Sequence, residues 1–224
     1  MKTPDLLIFD VNETLLDMTP LKQSINAELK NESAFDIWFR TLLHYSLVET
    51  ITAGNPDFST IGKAVFNMTA RQFNIAVADD KVTAILSQIK NLPPHDDVKD
   101  GLKALKEQGF TLAALTNGNL PTAKEQLAYA KIDTFFTEIF SVDSVSKYKP
   151  HHEAYELVYN SLNREPENTM LIAAHGWDIT GAARAGLQTA FISRPGKFMY
   201  PLAEKPTFTA KNLLELAKKL AASK

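Results

Sequence analysis

The sequence predicts an α/β protein with a Rossmann-like parallel sheet core and an inserted helical cap subdomain. Three observations lead to this prediction. Short apolar runs of strand length recur along the chain, apolar residues at helical spacing separate most of them, and a long span near the start contains only helical patterns. Alternation of strands and helices is typical of a parallel sheet that carries helices on both faces.

The predicted strands are continuous apolar segments bounded by polar or turn-forming residues, as expected for strands buried on both faces. Helical stripes follow them, and one ends where Gly109 interrupts the pattern. The predicted strands cover residues 6–11, 111–115, 138–142, 170–174 and 189–193. The helical stripes of the core include Val98, Leu102 and Leu105, then Ala154, Leu157, Val158 and Leu162, and finally Leu213, Leu216, Ala217 and Leu220.

The cap prediction comes from the span that follows the first strand. This span has no convincing strand pattern, but it has stripes such as Ile37, Thr41, His44 and Tyr45 that indicate helices. Proline near its two ends is suited to a hinge because proline cannot continue a helix. We therefore assign residues 1–15 and 95–224 to the core domain and residues 16–94 to the cap subdomain.

Composition excludes several classes of function. The chain has 224 residues, a formal net charge of −2 and no long run of like charge, so nothing indicates nucleic acid or a membrane surface as a partner. It contains no cysteine, which excludes disulfides, thiolate nucleophiles and cysteine-based metal sites. The apolar stretch near the start is too short for a signal segment or a membrane span, so we expect a cytoplasmic protein.

Polar residues cluster after the predicted strands. Because ligands of open parallel sheets bind outside the carboxyl ends of the strands, these residues form one candidate site. They are Asp10, Asn12, Glu13 and Thr14 after the first strand, Thr116, Asn117 and Gly118 after the second, Lys147 and Lys149 after the third, and His175, Trp177 and Asp178 after the fourth.

The order of these motifs resembles that of the haloacid dehalogenase superfamily. The motifs are Asp10 with Thr14, the stretch LTNGN at 115–119, Lys149 followed by proline, and Asp178 after the fourth strand. The resemblance covers nearly the whole chain and includes a helical cap inserted after the first strand. Most members of the superfamily are phosphatases, so membership alone does not decide the reaction.

Departures from the phosphatase pattern favour a different reaction. Phosphatases of the superfamily carry an aspartate general acid two residues after the nucleophile, where this chain has Asn12, and an amide supplies no proton. Their Mg²⁺ needs several oxygen ligands, but His175, Gly176 and Trp177 precede Asp178 here. The chain is more similar to the L-2-haloacid dehalogenases, which need no metal, so we predict no metal and no cofactor.

The resemblance implies a two-step reaction. Asp10 displaces the halide from carbon and forms an ester, and water then attacks the carboxyl carbon of Asp10. Lys149 keeps Asp10 ionised, since a nearby opposite charge favours the charged form. A halide leaves without a proton, so the absence of a general acid at Asn12 does not matter.

The resemblance also implies the binding residues. It assigns the substrate carboxylate to Thr116, Asn117 and amides at a helix start, and the halide to a cap arginine, for which the stretch IWFRTLLHY offers Arg40. A solvated ion pair is the alternative interpretation of Arg40. Thr14, Tyr155 and Trp177 complete the predicted substrate and halide site, although each could serve a packing or capping role.

Two departures from the best-known dehalogenases occur together. Glu13 stands where those enzymes have glycine, and His175 stands where they have asparagine. An imidazole oriented by a carboxylate activates water in many hydrolases. We therefore predict that Glu13 orients His175, that His175 takes the proton of the hydrolytic water, and that Asp178 holds Lys149 or assists. The alternative is a solvated turn residue beside a buried, hydrogen-bonded histidine.

The sequence thus predicts an (S)-2-haloacid dehalogenase that converts L-2-haloalkanoic acids to D-2-hydroxy acids. A Mg²⁺-dependent phosphatase of small metabolites is the alternative, and a binding protein on a retained fold is a further one. A homodimer is possible, because residues 58–73 could supply an apolar face.

Overall fold

The structure is a computed structural model that describes residues 3–223. Its strands form one sheet of six strands in the order β3-β2-β1-β4-β5-β6, and every neighbouring pair is parallel. This arrangement confirms the predicted Rossmann-like α/β fold. The strands are β1 (Leu6–Asp10), β2 (Thr111–Thr116), β3 (Glu138–Ser141), β4 (Thr169–Ala173), β5 (Gln188–Ile192) and β6 (Phe208–Ala210).

The central strand β1 places the first candidate residue. All five of its residues are buried, and the strand lies between β2 and β4. Asp10 is its last residue and lies in register with Leu115 of β2. The carboxyl ends of β1, β2 and β4 therefore meet at one edge of the sheet.

The five predicted strands are observed, each within one residue of its expected ends. The sixth strand, β6, was not predicted; it has three residues and lies at the edge of the sheet. The helices of the core are α5 (Val98–Glu107), α6 (Leu120–Tyr129), α7 (His152–Ser161), α8 (Gly176–Arg184) and α9 (Leu213–Ala222).

Helices fill the span between β1 and α5. They are α1 (Thr19–Glu28), α2 (Ala34–Thr52), α3 (Phe58–Gln72) and α4 (Asp79–Ser87), followed by a short 3₁₀ helix, Gln88–Asn91. Trp38 of α2 is buried and donates a hydrogen bond from Nε1 to the carbonyl oxygen of Gly62 in α3, at 2.9 Å. The α2–α3 pair therefore packs through an aromatic face.

The stripe that indicated this helix is not its buried side. The stripe of Ile37, Thr41, His44 and Tyr45 is half-buried or exposed, whereas the buried side of α2 carries Phe35, Trp38, Phe39 and Leu42. The predicted helix is observed, and the rings of Phe35, Trp38 and Phe39 supply most of the apolar surface that it buries.

The chain leaves the core and returns to it at adjacent points. Leu16 forms a β-bridge with Pro94, the amide of Asp17 donates to the carbonyl of Pro93 at 2.8 Å, and the amide of His95 donates to the carbonyl of Leu15 at 3.0 Å. The chain segments at residues 15–17 and 93–95 therefore lie side by side, and the helices α1 to α4 lie between them in sequence. Among residues 3–223, no helix has the length and apolar character needed to cross a membrane.

Candidate active site

Asp10 occupies the centre of the candidate site, at the carboxyl end of β1. Its side chain is buried, and its Oδ1 accepts a hydrogen bond from Nζ of Lys149 at 2.8 Å. Its Oδ2 accepts from the hydroxyl of Thr14 at 2.6 Å. That hydroxyl in turn accepts from the amide of Ala174 at 2.9 Å, after β4. Thr14, which the sequence predicts to contact substrate or halide, is fully buried, and its hydroxyl orients the Asp10 carboxylate.

Lys149 lies between two carboxylates. Its ammonium contacts Asp10 and also Oδ2 of Asp178 at 2.7 Å. The other oxygen of Asp178 accepts from the hydroxyl of Tyr155 at 2.6 Å. Tyr155, which the sequence predicts to bind substrate or halide, is fully buried and holds Asp178 through this hydrogen bond.

The two carboxylates that share Lys149 differ in ionisation. Burial alone would raise the pKa of Asp10, but Lys149 and His175 together lower this pKa well below its usual range. Burial raises the pKa of Asp178, and repulsion from Asp10 adds to the effect. Of the two carboxylates, Asp10 has its ionised form the more strongly favoured.

His175 lies between two carboxylates of its own. Its Nδ1 is 3.1 Å from Oδ2 of Asp10, and its Nε2 is 2.8 Å from Oε2 of Glu13. Each ring nitrogen faces a carboxylate oxygen. A neutral imidazole carries only one N–H group, so both nitrogens can donate at the same time only if the ring is protonated to the cation. Burial lowers the pKa of His175, but the hydrogen bonds and charges of Asp10 and Glu13 outweigh it and raise the pKa to about 9. The imidazole is a cation at neutral pH.

Glu13 adopts a backbone conformation that favours glycine. Its φ angle is 61°, in the left-handed region that is costly for residues with a side chain. Such strain persists where the surrounding structure requires it and is found at functional sites. The carboxylate of Glu13 contacts both His175 and Nζ of Lys197, at 2.8 and 2.6 Å. The strained residue thus links the imidazole to a lysine that the sequence analysis missed.

A cavity of about 650 Å³ opens between this cluster and the cap. From the core it is lined by Glu13, His175 and Trp177, and from the cap by Phe39 and Arg40. Phe39 contacts the ring of His175, with the ring centroids 6.2 Å apart. The cap therefore closes one side of the space next to the imidazole.

Arg40 differs from the other cations of this cavity. Lys22 pairs with Asp36 at 2.9 Å, Arg194 with Asp97, and Lys197 with Glu13. Within the described part of the chain Arg40 forms no ion pair. Arg40 lines the cavity, so its charge is available to an anion there.

Two buried donors near Lys149 lack hydrogen-bond partners in the described structure. They are Nδ2 of Asn117 and Nε1 of Trp177. The amide of Lys149 donates to Oδ1 of Asn117 at 2.9 Å, and Nζ of Lys149 lies 5.7 Å from the centre of the Trp177 ring. Since buried donors are nearly always satisfied, these two are suited to an anionic ligand. The hydroxyl of Thr116 accepts from the amide of Gly118 at 3.0 Å, which leaves its own proton available.

The ligand set does not suit Mg²⁺. Every carboxylate oxygen of Asp10 and Asp178 already accepts a hydrogen bond from Lys149, Thr14, His175 or Tyr155. Mg²⁺ needs several free oxygens in octahedral geometry. A separate group, His151, His152 and Glu153, has nitrogen and oxygen atoms within 4.8 Å of one another, but it lies at the start of α7, away from Asp10.

The parallel sheet, the helices over its carboxyl edge and the charged cluster beneath them define an α/β protein with a candidate active site at the end of its central strand. A sequence model of the haloacid dehalogenase-like hydrolases matches residues 4–186, and the chain belongs to this family.

Individual relatives agree with the family assignment. The chain is 26% identical to haloacetate dehalogenase H-2 of Moraxella sp. (strain B) over 93% of this chain and 94% of the relative. It is 25% identical to (S)-2-haloacid dehalogenase 2 of Pseudomonas sp. (strain CBS-3), covering 94% and 93% of the two chains. The solved structure of L-2-haloacid dehalogenase from Xanthobacter autotrophicus has the same fold, with a TM-score of 0.92, 20% identity and coverage of 99% and 100%.

Proposed function

We propose that the protein is an (S)-2-haloacid dehalogenase that forms an aspartyl ester on Asp10. The observation that carries this proposal is the buried Asp10 carboxylate, whose Oδ1 lies 2.8 Å from Nζ of Lys149, a cation that holds it ionised. Asn12, which occupies the place of the phosphatase acid, accepts a hydrogen bond from Gln126 at 3.0 Å. The relatives named for dehalogenation support the same reaction.

The first step is an in-line displacement. A carboxylate oxygen of Asp10 forms a bond to carbon 2 of the haloacid, and the carbon–halogen bond breaks with its electron pair leaving on the halide. The product is an ester of Asp10 with inverted configuration at carbon 2, so an L-2-haloacid gives a D-2-hydroxy acid. No proton is required in this step.

The anionic parts of the substrate have donors in the site. We assign the carboxylate to Asn117, whose Nδ2 has no protein partner within the described residues, and to the hydroxyl of Thr116. We assign the departing halide to Arg40 and to Nε1 of Trp177. Charge-assisted hydrogen bonds of this kind are about twice as strong as neutral ones.

The second step, hydrolysis of the ester, needs a base. His175 is suited to act as this base only after the first step has esterified Asp10. In the free protein both ring nitrogens donate to carboxylates, so the ring cannot accept a proton. Esterification removes the charge of Asp10, and Nδ1 of His175 then faces a neutral oxygen. The pKa of His175 falls because a major source of its elevation is lost. We infer that His175 then releases its proton to solvent and becomes the base.

Protons balance over the cycle. Neutral His175 takes a proton from water as the oxygen bonds to the carboxyl carbon of Asp10, and it returns that proton to the departing alkoxide. The carboxylic acid left on Asp10 transfers its proton to His175, which restores the starting ion pair. One proton therefore leaves per turnover, and it leaves with formation of the ester. Asp178 is less suited to act as the base because both its oxygens already accept hydrogen bonds.

The ester is the species to test. In a single turnover in ¹⁸O water with enzyme in excess, label is expected in Asp10 before it appears in free product. Asp10→Asn should release no halide, whereas Asp17→Asn is a matched control, because Asp17 lines the same cavity but bonds to Thr19. Label appearing directly in the hydroxy acid, or retained configuration, would remove the nucleophile role. Hydrolysis of a phosphate ester dependent on Mg²⁺ would favour the phosphatase alternative.

The oligomeric state and the cellular location of the protein stay predictions from the sequence. We keep the homodimer and the cytoplasm as predictions. The apolar residues of α3 that suggested a dimer face, such as Ile61, Val65 and Phe66, are buried within the chain. Exposed apolar side chains on α2, Leu47 and Ile51, are better placed for contact with a second copy.

A further inference from the structure

Lys197 and His175 contact the same carboxylate oxygen of Glu13. Its Nζ lies 2.6 Å from Oε2 of Glu13, and this same oxygen lies 2.8 Å from Nε2 of His175. The lysine side chain is 24% exposed and lines the cavity, so it is neither a free surface lysine nor a buried one. One carboxylate oxygen is therefore shared by a cation and by the proposed base.

The position of Lys197 is fixed by backbone packing. Lys197 lies in the loop between β5 and β6, and this loop packs on Gly176, the residue after His175. A Cβ atom at position 176 would lie 2.6 Å from the carbonyl oxygen of Phe198 and 2.8 Å from the amide nitrogen of Tyr200. Only glycine permits this approach, so the lysine and the imidazole are held in one unit.

The charges around His175 define what Lys197 can do. Asp10 and Glu13 face the ring directly, and Lys149 faces it through Asp10. The rings of Phe39 and Trp177 pack on it and carry no charge.

Two further groups lie behind the turn that carries Glu13. Nε2 of His95 is 3.3 Å from the backbone oxygen of Glu13, and Arg194 donates to the backbone of Thr14 and pairs with Asp97. Neither contacts the carboxylate of Glu13. Lys197 is thus the cation within the described residues that directly offsets the charge of Glu13.

We propose that Lys197 tunes the base: by sharing Oε2 of Glu13, it lets Glu13 hold the ring of His175 in place while weakening the hold on its cationic form. Lys197 is therefore a positioning residue that acts through Glu13. This role rests on the proposed dehalogenase mechanism, because it is needed only when His175 must lose a proton after Asp10 is esterified.

Removal of the lysine charge should make His175 a stronger base that stays protonated to higher pH. In Lys197→Met the full charge of Glu13 acts on the imidazolium, and the pH at which ester hydrolysis becomes fast should rise by about one unit. On the acid side of that transition, hydrolysis should slow about ten-fold. The plateau rate at high pH should match that of the unsubstituted protein. Lys197→Arg keeps the charge and should keep the transition near its original pH.

A purely structural role would give another pattern. If Lys197 only supported the loop, Lys197→Met would lower the rate at every pH, including the plateau, and Lys197→Arg would not restore it. That result would overturn the inference.

A second measurement does not depend on activity. Asp10→Asn carries a neutral side chain in place of the ester, and mass spectrometry can verify that the amide is intact. In this background, nitrogen-15 NMR gives the pKa of His175, assigned by comparison with His175→Asn. Adding Lys197→Met should raise this pKa by about one unit. Lys22→Met is the matched control, because Lys22 lines the same cavity but pairs with Asp36, and it should leave the pKa of His175 unchanged.

The two proposals fail separately. An unchanged pKa of His175 on adding Lys197→Met overturns the role of Lys197, whatever the enzyme does with haloacids. Absence of halide release from L-2-chloropropionate overturns the dehalogenase proposal, while the NMR comparison still decides whether Lys197 acts on His175 through Glu13.

Discussion

Nδ1 of His175 lies 3.1 Å from Oδ2 of Asp10, so the proposed base touches the proposed nucleophile. The two groups cannot change charge independently. While Asp10 is a carboxylate, it holds the proton on His175, and His175 in turn lowers the pKa of Asp10. With Asp10 ionised and His175 protonated, the pair is suited to attack on carbon. With Asp10 esterified and His175 neutral, it is suited to hydrolysis of the ester.

Replacement of His175 should separate the two steps. His175→Ala should still release one halide per active site, because displacement needs no base and Lys149 still balances Asp10. Turnover should then fall by about 10²–10⁴-fold, the usual contribution of a general base. Rapid-mixing measurement of halide, with mass spectrometry of the trapped ester, tests this. His44→Ala, at an exposed position of α2, is the control. An unchanged steady-state rate would return the base role to Asp178.

Substitution of Glu13 should reveal its backbone strain. Glu13→Gly and Glu13→Ala both remove the carboxylate, but only glycine adopts a φ of 61° without cost. The glycine variant should have a free energy of unfolding about 1–2 kcal/mol higher than the alanine variant. Urea denaturation of the two proteins measures this difference. Equal stabilities would show that the turn relaxes to another conformation, and the strain argument would fail.

The elevated pKa of His175 predicts how stability depends on pH. The folded pKa is about 9, above the unfolded value near 6.5, so protonated His175 stabilises the fold fully below pH 6.5. This contribution is lost as the pH rises through 9, and it amounts to about 3 kcal/mol at most. Free energies of unfolding at pH 6 and pH 9, compared between the unsubstituted protein and His175→Asn, isolate it. A difference that does not change with pH would contradict the raised pKa.

Arg40 should act on the departing halide. Arg40→Ala removes the cation of the cavity that has no carboxylate partner among residues 3–223. A charge-assisted contact of about 1.5–3 kcal/mol corresponds to a loss of about 10–100-fold in kcat/KM for 2-chloropropionate. Arg71→Ala, on an exposed part of α3, should keep its activity. Normal activity in Arg40→Ala would assign the halide to Trp177 alone.

Removal of divalent ions should leave dehalogenation unchanged. Lys149, rather than a metal, balances Asp10, and the oxygens of Asp178 are occupied by Lys149 and Tyr155. Activity measured with and without a chelator tests this directly. A strong loss that Mg²⁺ restores would contradict the balance of Asp10 by Lys149.

The strands that the sequence predicted share one property. β1, β2 and β4 are continuous apolar runs buried on both faces, and such runs are visible without tertiary context. β6 has three residues at the edge of the sheet, and only its pairing with β5 distinguishes it from a loop.

Some residues of the site could be predicted from the sequence and others could not. Asp10 and Lys149 were predictable because a motif order names them and the topology brings strand ends together. The contact of Tyr155 with Asp178 and the shared oxygen of Glu13 depend on side-chain geometry. Lys197 gave no signal, since it is one lysine in a loop far along the chain from Glu13.

The close approach at Gly176 limits how this chemistry could be transplanted. A relative given only glutamate and histidine at the positions of Glu13 and His175 would acquire the imidazole without the cation that moderates it. Any larger residue at position 176 would push away the loop that carries that cation, because its Cβ would meet the backbone of Phe198 and Tyr200. Engineering the histidine base into another scaffold therefore means moving a glycine and a loop from a distant part of the chain together with the two reactive side chains.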